Sequence, residues 1–574
     1  MARAGSDSGA DFSYEEEVAR ERVEDGAPLA MPKPHPSPSV SPSVSPSVSP
    51  SASQKETGVE VQQKVAKWMS KMVATRADIV RAVPTHRALQ QLGYIFWTRH
   101  VKPEWYDLSH VADSIGEFWS HSWQLTPWFK ILTLLFFKNG IPAVIAGVLA
   151  AGVACILCVL RVLPVGPAAE QNVHSAGSTL WCTCLGWGFY ILVLLGWRPR
   201  RTIFLDRICI HQSDPDLMQE GLLSVGAFLR MSDKMLVLWD KTYVHRLWCM
   251  LEVAAFLKSR EHGDLPSMTI VPTHLGPFCF VLNLSVGIVY VAAWIFLMRG
   301  IYAWTLLVIL PLFMIPTGHF LISNAREYVR DVQAMREQLA TFSLVDARCS
   351  CCDKNHITRS GKRIICDRVV IEQCIVEWFE SKDDFNEAVR LTVLPAFAKR
   401  FGQNEIPLWI FLIATAPTCW ILLDVVAGYA VAEQELGEGS SSRWWLLLCC
   451  GMWLGTQSAG CSWVLFLSRK LSKDRGRVLG FGVNMLILAS VVPVLCGGVA
   501  LHLLTAEEYA GSLSPWLGIA SATFQILIGF VAWQGCARRC SSECKPCQSI
   551  ALAKLKFSGF HWPTGPKAEE LGIF

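Results

Sequence analysis

Charge is what this 574-residue sequence has least of. Asp, Glu, Lys and Arg make up 17% of it, where a soluble domain carries about 25%. Neither sign dominates: 52 basic residues face 48 acidic ones, for a net charge of +4. So small an excess says little about nucleic acid, and no nucleic-acid partner is expected. A secretory leader is lacking as well. The opening MARAGSDSGADFSYEEEVARERVEDG is acidic and has no apolar h-region, so the first membrane helix is expected to do the targeting. The 21 cysteines are odd in number and scattered. A disulfide framework does not fit them; reduced thiols facing cytosol or lipid do.

Apolar residues take the place of charge. They are 52% of the chain, and the mean hydropathy is +0.32. A bilayer core needs about 20 apolar residues in a helix. Eight stretches meet that requirement: Ile141–Leu160, Ser178–Trp197, Phe278–Met298, Ile301–Leu321, Ile406–Val431, Trp444–Leu467, Val478–Leu504 and Pro515–Cys536. Basic residues select an orientation. Arg469, Lys470, Lys473, Arg475 and Arg477 fill one loop, Arg198, Arg200 and Arg201 end the second span, and Arg538 and Arg539 end the last. With eight spans all of these fall on one side. The expectation is an integral, multi-pass protein in a lipid bilayer, with both termini cytoplasmic.

The segments between the spans differ in kind. Residues 1–60 join an acidic patch to the repeat SPSVSPSVSPSVSPSAS, whose regular prolines block helix and sheet, so a disordered tail is expected. Residues 61–114 carry helical spacing (Val65, Trp68, Met69, Met72, Val73) and read as a helical collar. At 115–140 a strand ends in Ser-His-Ser, followed by a helix closed at Gly140. The spans at 141–197 form a hairpin, and 198–275 alternates strand, helix, strand, helix, strand. That alternation predicts a parallel sheet with right-handed crossovers, whose ligands sit at the carboxyl ends of the strands. A second hairpin (276–321), a cytoplasmic module (322–405), four spans (406–536) and a Cys-rich tail (537–574) complete the order.

Three motifs carry a resemblance. FLD at Phe204–Asp206 is similar to the second strand and loop of a TIR domain. The run SDKMLVLWDKTYVHRLWCMLEV resembles the TIR pattern of Ser232, Tyr243, Trp248, Cys249 and Glu252, with Trp-Cys-x-x-Glu opening a helix. FWSHSW at Phe118–Trp123 resembles the first TIR strand and its Ser-rich turn. The same FLD…ICIHQ…RLWC…E core resembles that of multi-span algal membrane proteins. The resemblance implies a flavodoxin-like α/β domain split by the hairpin at 141–197, and self-association through that domain. In members that cleave NAD it implies a catalytic Glu252. A carboxylate there would stabilise the oxocarbenium-like charge left as nicotinamide departs. Trp248 stands one helical turn before Glu252, on the same face; Ser120 and Ser122 are candidates to line the same cleft, and Asp206 and the loop Asp240–Leu247 lie at the carboxyl ends of strands. A Glu near a helix start is also favoured by the helix dipole alone.

Other residues point elsewhere. CSCCDKNHITRSGKRIICDR offers Cys349, Cys352, His356 and Cys366 as four ligands for structural zinc. In the tail, Cys540, Cys544 and Cys547 lie among basic residues just past the last span, a setting for lipidation. Asp424, an acid within the fifth span, is the single residue that points to transport. Three functions therefore stay open: signalling or assembly through a TIR-like domain, NAD hydrolysis at Glu252, and a transporter or channel with that domain as regulator.

Overall fold

The computed structural model describes residues 58–98, 102–123, 126–166, 179–260, 267–298, 303–357, 364–401, 408–436, 451–491 and 523–528. The Ser/Pro tail as far as residue 57, Cys540, Cys544, Cys547, the start of the run Trp444–Leu467 and large parts of the last two apolar runs lie outside them. The chain is mostly helical, built around one six-stranded sheet of order β2-β1-β4-β3-β5-β6. The strands are β1 (Arg81–Pro84), β2 (His110–Val111), β3 (Glu117–His121), β4 (Thr202–Phe204), β5 (Met235–Trp239) and β6 (Met268–Pro272).

Four of these strands, β4-β3-β5-β6, are parallel. By chain position their order is 2-1-3-4, the beginning of the doubly wound flavodoxin-like order. β5 is the run MLVLW, every residue buried. Five apolar residues in succession suit a strand covered on both faces. The sheet is mixed, however, rather than all parallel: β1 pairs antiparallel with β4, and β2 antiparallel with β1. Residues 61–114 are thus not only helical. Helix α1 (Gly58–Ser70) is present, but β1 and β2 extend the sheet edge. Arg81 fastens that edge, donating to the Ser109 hydroxyl and carbonyl at 2.7 Å each.

The connection from β3 to β4 leaves the domain. Helix α2 (Pro127–Val159) is one rod of 33 residues, with no stop at Gly140. A Cβ at 140 would lie 3.1 Å from Ile413, so this glycine admits a neighbouring helix instead of ending its own. The first turns of α2 bury Lys130, Ile131, Thr133 and Leu134. Past residue 140 its exposed residues are Ile141, Ile145, Leu149, Val153 and Ile156, spaced to form one apolar stripe. Helix α3 (Trp181–Gly196) returns to β4. The two pack together, and Asn139 donates to the Leu194 carbonyl at 2.8 Å.

After β4, two short helices (Pro215–Leu223 and Val225–Arg230) meet at Ser224, where one helix was expected. Helix α4 (Leu247–Lys258) follows β5. From β6 the chain enters α5 (Leu275–Met298) and returns as α6 (Ala303–Ala340), 38 residues long. Like α2, α6 passes from apolar bundle to α/β unit without a break. Helix α7 (Asp367–Phe379) covers α1 and α4. Helix α8 (Leu408–Leu436) runs through the centre of the bundle. Its Trp420 fills a slot opened by Gly147 and Gly186, where any Cβ would overlap the indole. Small residues let membrane helices approach in this way.

Among the described residues, two helices are long and apolar enough to cross a bilayer: α2 and the Ile410–Glu435 part of α8. Shorter apolar helices occupy Trp181–Gly196, Leu275–Ile288 and Gly476–Val491. Length and composition thus point to membrane association.

Asp424, on α8, has a specific job in this bundle. Its two carboxylate oxygens accept the backbone N–H groups of Cys182 and Thr183, each at 2.8 Å. These are among the orphan donors at the start of α3, so one helix caps another. Asp424→Ala should lower the thermal midpoint of the detergent-solubilised protein, by a loss of about 1–3 kcal/mol for two unpaired buried donors. Asp424→Asn, which keeps an acceptor oxygen, should cost less. Equal midpoints for all three proteins would refute the capping role.

Candidate functional site

The loops after β3 and β5 lie where the parallel strand order reverses, the place at which doubly wound sheets bind ligands. A polar cluster occupies it. Ser120, near the end of β3, donates its hydroxyl to Glu252 and stands 2.6 Å from the Tyr243 hydroxyl. Glu252 lies in the second turn of α4, not the first, and its carboxyl reaches across to the sheet. The helix dipole therefore does not account for its placement.

Glu252 is partly exposed as a residue. Its carboxyl nevertheless sits deep enough that burial, helped by the charge of Asp206, pushes its pKa up to about 8. The Ser120 hydrogen bond and the Arg246 charge oppose that rise without cancelling it. At neutral pH Glu252 is mainly a protonated acid.

Asp206 follows β4. Its carboxylate accepts the Trp123 indole N–H and the Arg207 backbone N–H, both at 2.8 Å. Burial pushes its pKa up, against the pull of these bonds. Trp123 also draws two cations: the Arg207 guanidinium lies 4.0 Å and the Lys130 ammonium 4.8 Å from its ring. Between the two serines sits His121, which burial and then the Lys130 charge hold well below the usual imidazole range. Its buried Nε2 has no hydrogen-bond partner among the described residues. Ser122 lies 3.1 Å from the Thr242 hydroxyl. Thr242 donates its N–H to Asp240 Oδ1 at 2.6 Å, while Asp240 Oδ2 is buried without a partner among the described residues.

The structure therefore brings Ser120 and Glu252 into contact, with Asp206 and Ser122 close by. Trp248 goes elsewhere. Although one turn from Glu252, its indole donates to Asp367 Oδ2 at 3.1 Å. The sequence does not single out His121 or Lys130, although His121 is framed by two candidate serines and Lys130 interrupts the apolar run PWFKILTLLFF; Tyr243 and Asp240 belong to the loop expected at the strand ends, without a role of their own.

A second cluster lies beside the first. The ligand atoms of Cys351, Cys352, His356 and Cys366 all lie within 4.8 Å of one another. Cys351 thus stands where Cys349 was expected. Cys349 Sγ is 3.2 Å from Cys351 Sγ and forms a second group with Cys351 and Asp367. The backbone explains the choice. Asn355 and His356 both adopt left-handed φ values, 55° and 58°, and the His356 N–H returns to the Cys351 carbonyl at 2.8 Å. That tight reversal folds His356 onto the adjacent Cys351–Cys352 pair. Sγ separations are 4.0 Å for Cys351–Cys352 and 3.6 Å for Cys352–Cys366. Tetrahedral zinc with Zn–S near 2.3 Å sets ligands about 3.8 Å apart. His356 Nε2 is buried with no hydrogen-bond partner among the described residues. This Cys/His cluster is compatible with structural zinc. Comparison with family models, with curated proteins and with solved structures finds no match.

The Glu252 shift carries a signed consequence. Its folded pKa lies above the free value of 4.5, so folding opposes its ionisation. The stability linked to its proton is whole below the free value and lost as pH rises through about 8. Wild-type protein should therefore lose thermal stability between about pH 5 and pH 8.5 relative to Glu252→Gln. Parallel pH profiles for the two proteins would contradict this assignment.

Proposed function

We propose that this chain is a multi-pass membrane protein of about eight spans, with cytoplasmic termini and a TIR-like domain that signals or assembles at the membrane surface. Its Cys/His module holds one structural zinc. The observation that carries this reading is continuity. α2 and α6 each run from the apolar bundle into the α/β unit as single helices. A shift of the bundle is thereby delivered to the sheet as a rigid displacement. The resemblance of the Phe204–Asp206 and Trp248–Glu252 segments to TIR motifs, and the parallel 2-1-3-4 strand order, support the identity of the domain.

NAD hydrolysis at Glu252 is the second reading. It is favoured by the meeting of Ser120, Glu252 and Asp206 at the strand ends. Stabilising an oxocarbenium-like charge calls for a carboxylate, however. Here burial keeps Glu252 mainly protonated and its carboxyl engaged with Ser120. Assembly therefore ranks first. Transport ranks last, because Asp424 is committed to capping α3.

Both leading readings can be tested on full-length protein in liposomes at several densities. Amine crosslinking is expected to yield cytoplasmic-domain dimers as density rises, with no NAD turnover. NAD turnover that disappears in Glu252→Gln would establish the hydrolase in place of the scaffold. Protein that remains uncrosslinked at every density would defeat the assembly reading.

A further inference from the structure

The thiol cluster and the Glu252 cluster touch through the chain segments that flank the thiols. Arg348 immediately precedes Cys349, and its backbone forms a parallel bridge with Arg246. The Arg348 N–H donates to the His245 carbonyl at 2.6 Å, and the Leu247 N–H donates to the Arg348 carbonyl at 3.1 Å. Leu247 is the first residue of α4. Its N–H is one of the donors that a helix cannot satisfy internally, and no side chain caps this helix. The other flank behaves alike. Asp367 immediately follows Cys366 and accepts the Trp248 indole N–H. Between the flanks, Arg368 donates to the Ala347 carbonyl.

The opening of α4 is therefore held on two sides, by Arg348 three residues before the first ligand, Cys351, and by Asp367 next to the last, Cys366. Glu252 stands one helical turn beyond Trp248. Arg246, inside the bridge, is the cation that opposes the rise of the Glu252 pKa. Residues 351 to 356 and residue 366 meet through thiol and imidazole side chains, and the Ile364 N–H donates to the His356 carbonyl at 3.0 Å. A metal ion shared by Cys351, Cys352, His356 and Cys366 would fix Arg348 and Asp367 relative to each other. Without it, the two holds on α4 lose one of the ties between them, and the Arg368–Ala347 bond remains.

We infer that the Cys351/Cys352/His356/Cys366 site is a regulatory zinc site, whose occupancy sets the order of the 243–252 segment and the placement of Glu252 against Ser120. This rests on the zinc reading of the module. It is independent of whether Glu252 performs chemistry or only organises a docking surface. Ligation displaces the protons of the three thiols to solvent and changes no oxidation state, so no oxidant takes part.

Hydrogen–deuterium exchange on the full-length protein in nanodiscs, under reducing conditions, tests the inference. Zinc content should be one per chain as purified. Chelation should raise exchange at residues 247–250 by about tenfold or more, as expected from losing one or two hydrogen bonds. Exchange in β5 should not change, and added zinc should restore protection. Trp248→Phe removes the Asp367 bond without touching the ligands. It should retain its zinc yet show part of the same increase. Cys366→Ser should lose zinc, whereas Cys349→Ser should keep it. A wild-type protein that binds zinc but exchanges identically after chelation would overturn the coupling and leave the zinc reading standing. A protein that binds no zinc would overturn both.

Discussion

The pairing of β3 with β4 is the constraint on which the rest depends. Glu117 aligns with Ile203 and Phe118 with Phe204, in parallel. Adjacent parallel strands need a long crossover, ordinarily a helix laid on the sheet. Here the crossover is α2 and α3, which travel out into the apolar bundle and back. Closing the sheet therefore closes the hairpin, and the two cannot fold as separate units. Thr133 on α2 makes the join explicit. Its hydroxyl donates to the Thr273 carbonyl at 2.7 Å and accepts the Gly276 N–H at 3.0 Å. Gly276 lies so near the α2 backbone that a Cβ would overlap Thr133. The start of α5 thus packs directly on α2, and both hairpins leave the sheet from one place.

Legibility in the sequence followed local density of signal. β5 and β6 are dense apolar runs, and their positions follow from composition alone. β1 and β2 escaped because they are four and two residues long, at an edge, with Pro84 ending one and a 3-10 turn preceding the other. Pairing with β4 makes them strands, and pairing is not a local property. Gly140 misled for a related reason. A glycine after a helical run is a stop signal only where the chain must turn; here it makes room for Ile413. At the candidate site, Ser120 and Glu252 were legible because both stand in recognisable motifs. Trp248 was assigned to the same face by spacing, but a helix packed between a sheet and another helix can present neighbouring turns to different partners. Cys351 lost to Cys349 because C-x-x-C spacing is the familiar pattern. The left-handed pair Asn355–His356, which selects the adjacent thiols, has no comparable mark in the sequence.

So few charged residues leave each buried one conspicuous, and several of them link separate elements. Glu117 on β3 pairs with Lys138 on α2 and accepts the Trp119 indole at 2.6 Å. Arg326 on α6 donates to the Leu471 and Lys473 carbonyls and to Asn484. Asp331, also on α6, pairs with His274 beyond β6 and with Lys241 in the loop after β5. Burial works against the Asp331 charge, but His274 and Lys241 more than compensate and hold it below the usual carboxylate range. Removing Lys138 would leave the buried Glu117 charge uncompensated, at a cost of about 3–5 kcal/mol. Several of these links lie near the border between bundle and sheet. They confer registration between the two more than stability in either.

That registration leads back to the loop between β5 and α4. Lys241 ties its start to α6, and Gln338 of α6 donates to the Lys241 carbonyl at 2.9 Å. Thr242 joins it to Ser122, in the turn that leads into α2. Tyr243 meets Ser120, and Arg246 pairs with the flank of the thiol cluster. A loop of seven residues, 240–246, thus takes contacts from α6, from the turn that leads into α2, from the central strand and from the Cys/His module. A displacement of α6 therefore bears on the loop that holds Tyr243 and the opening of α4. Glu252 sits where Ser120, Tyr243 and α4 meet. Its elevated pKa follows from the same crowding, since each contact that fixes the loop also excludes water from the carboxyl.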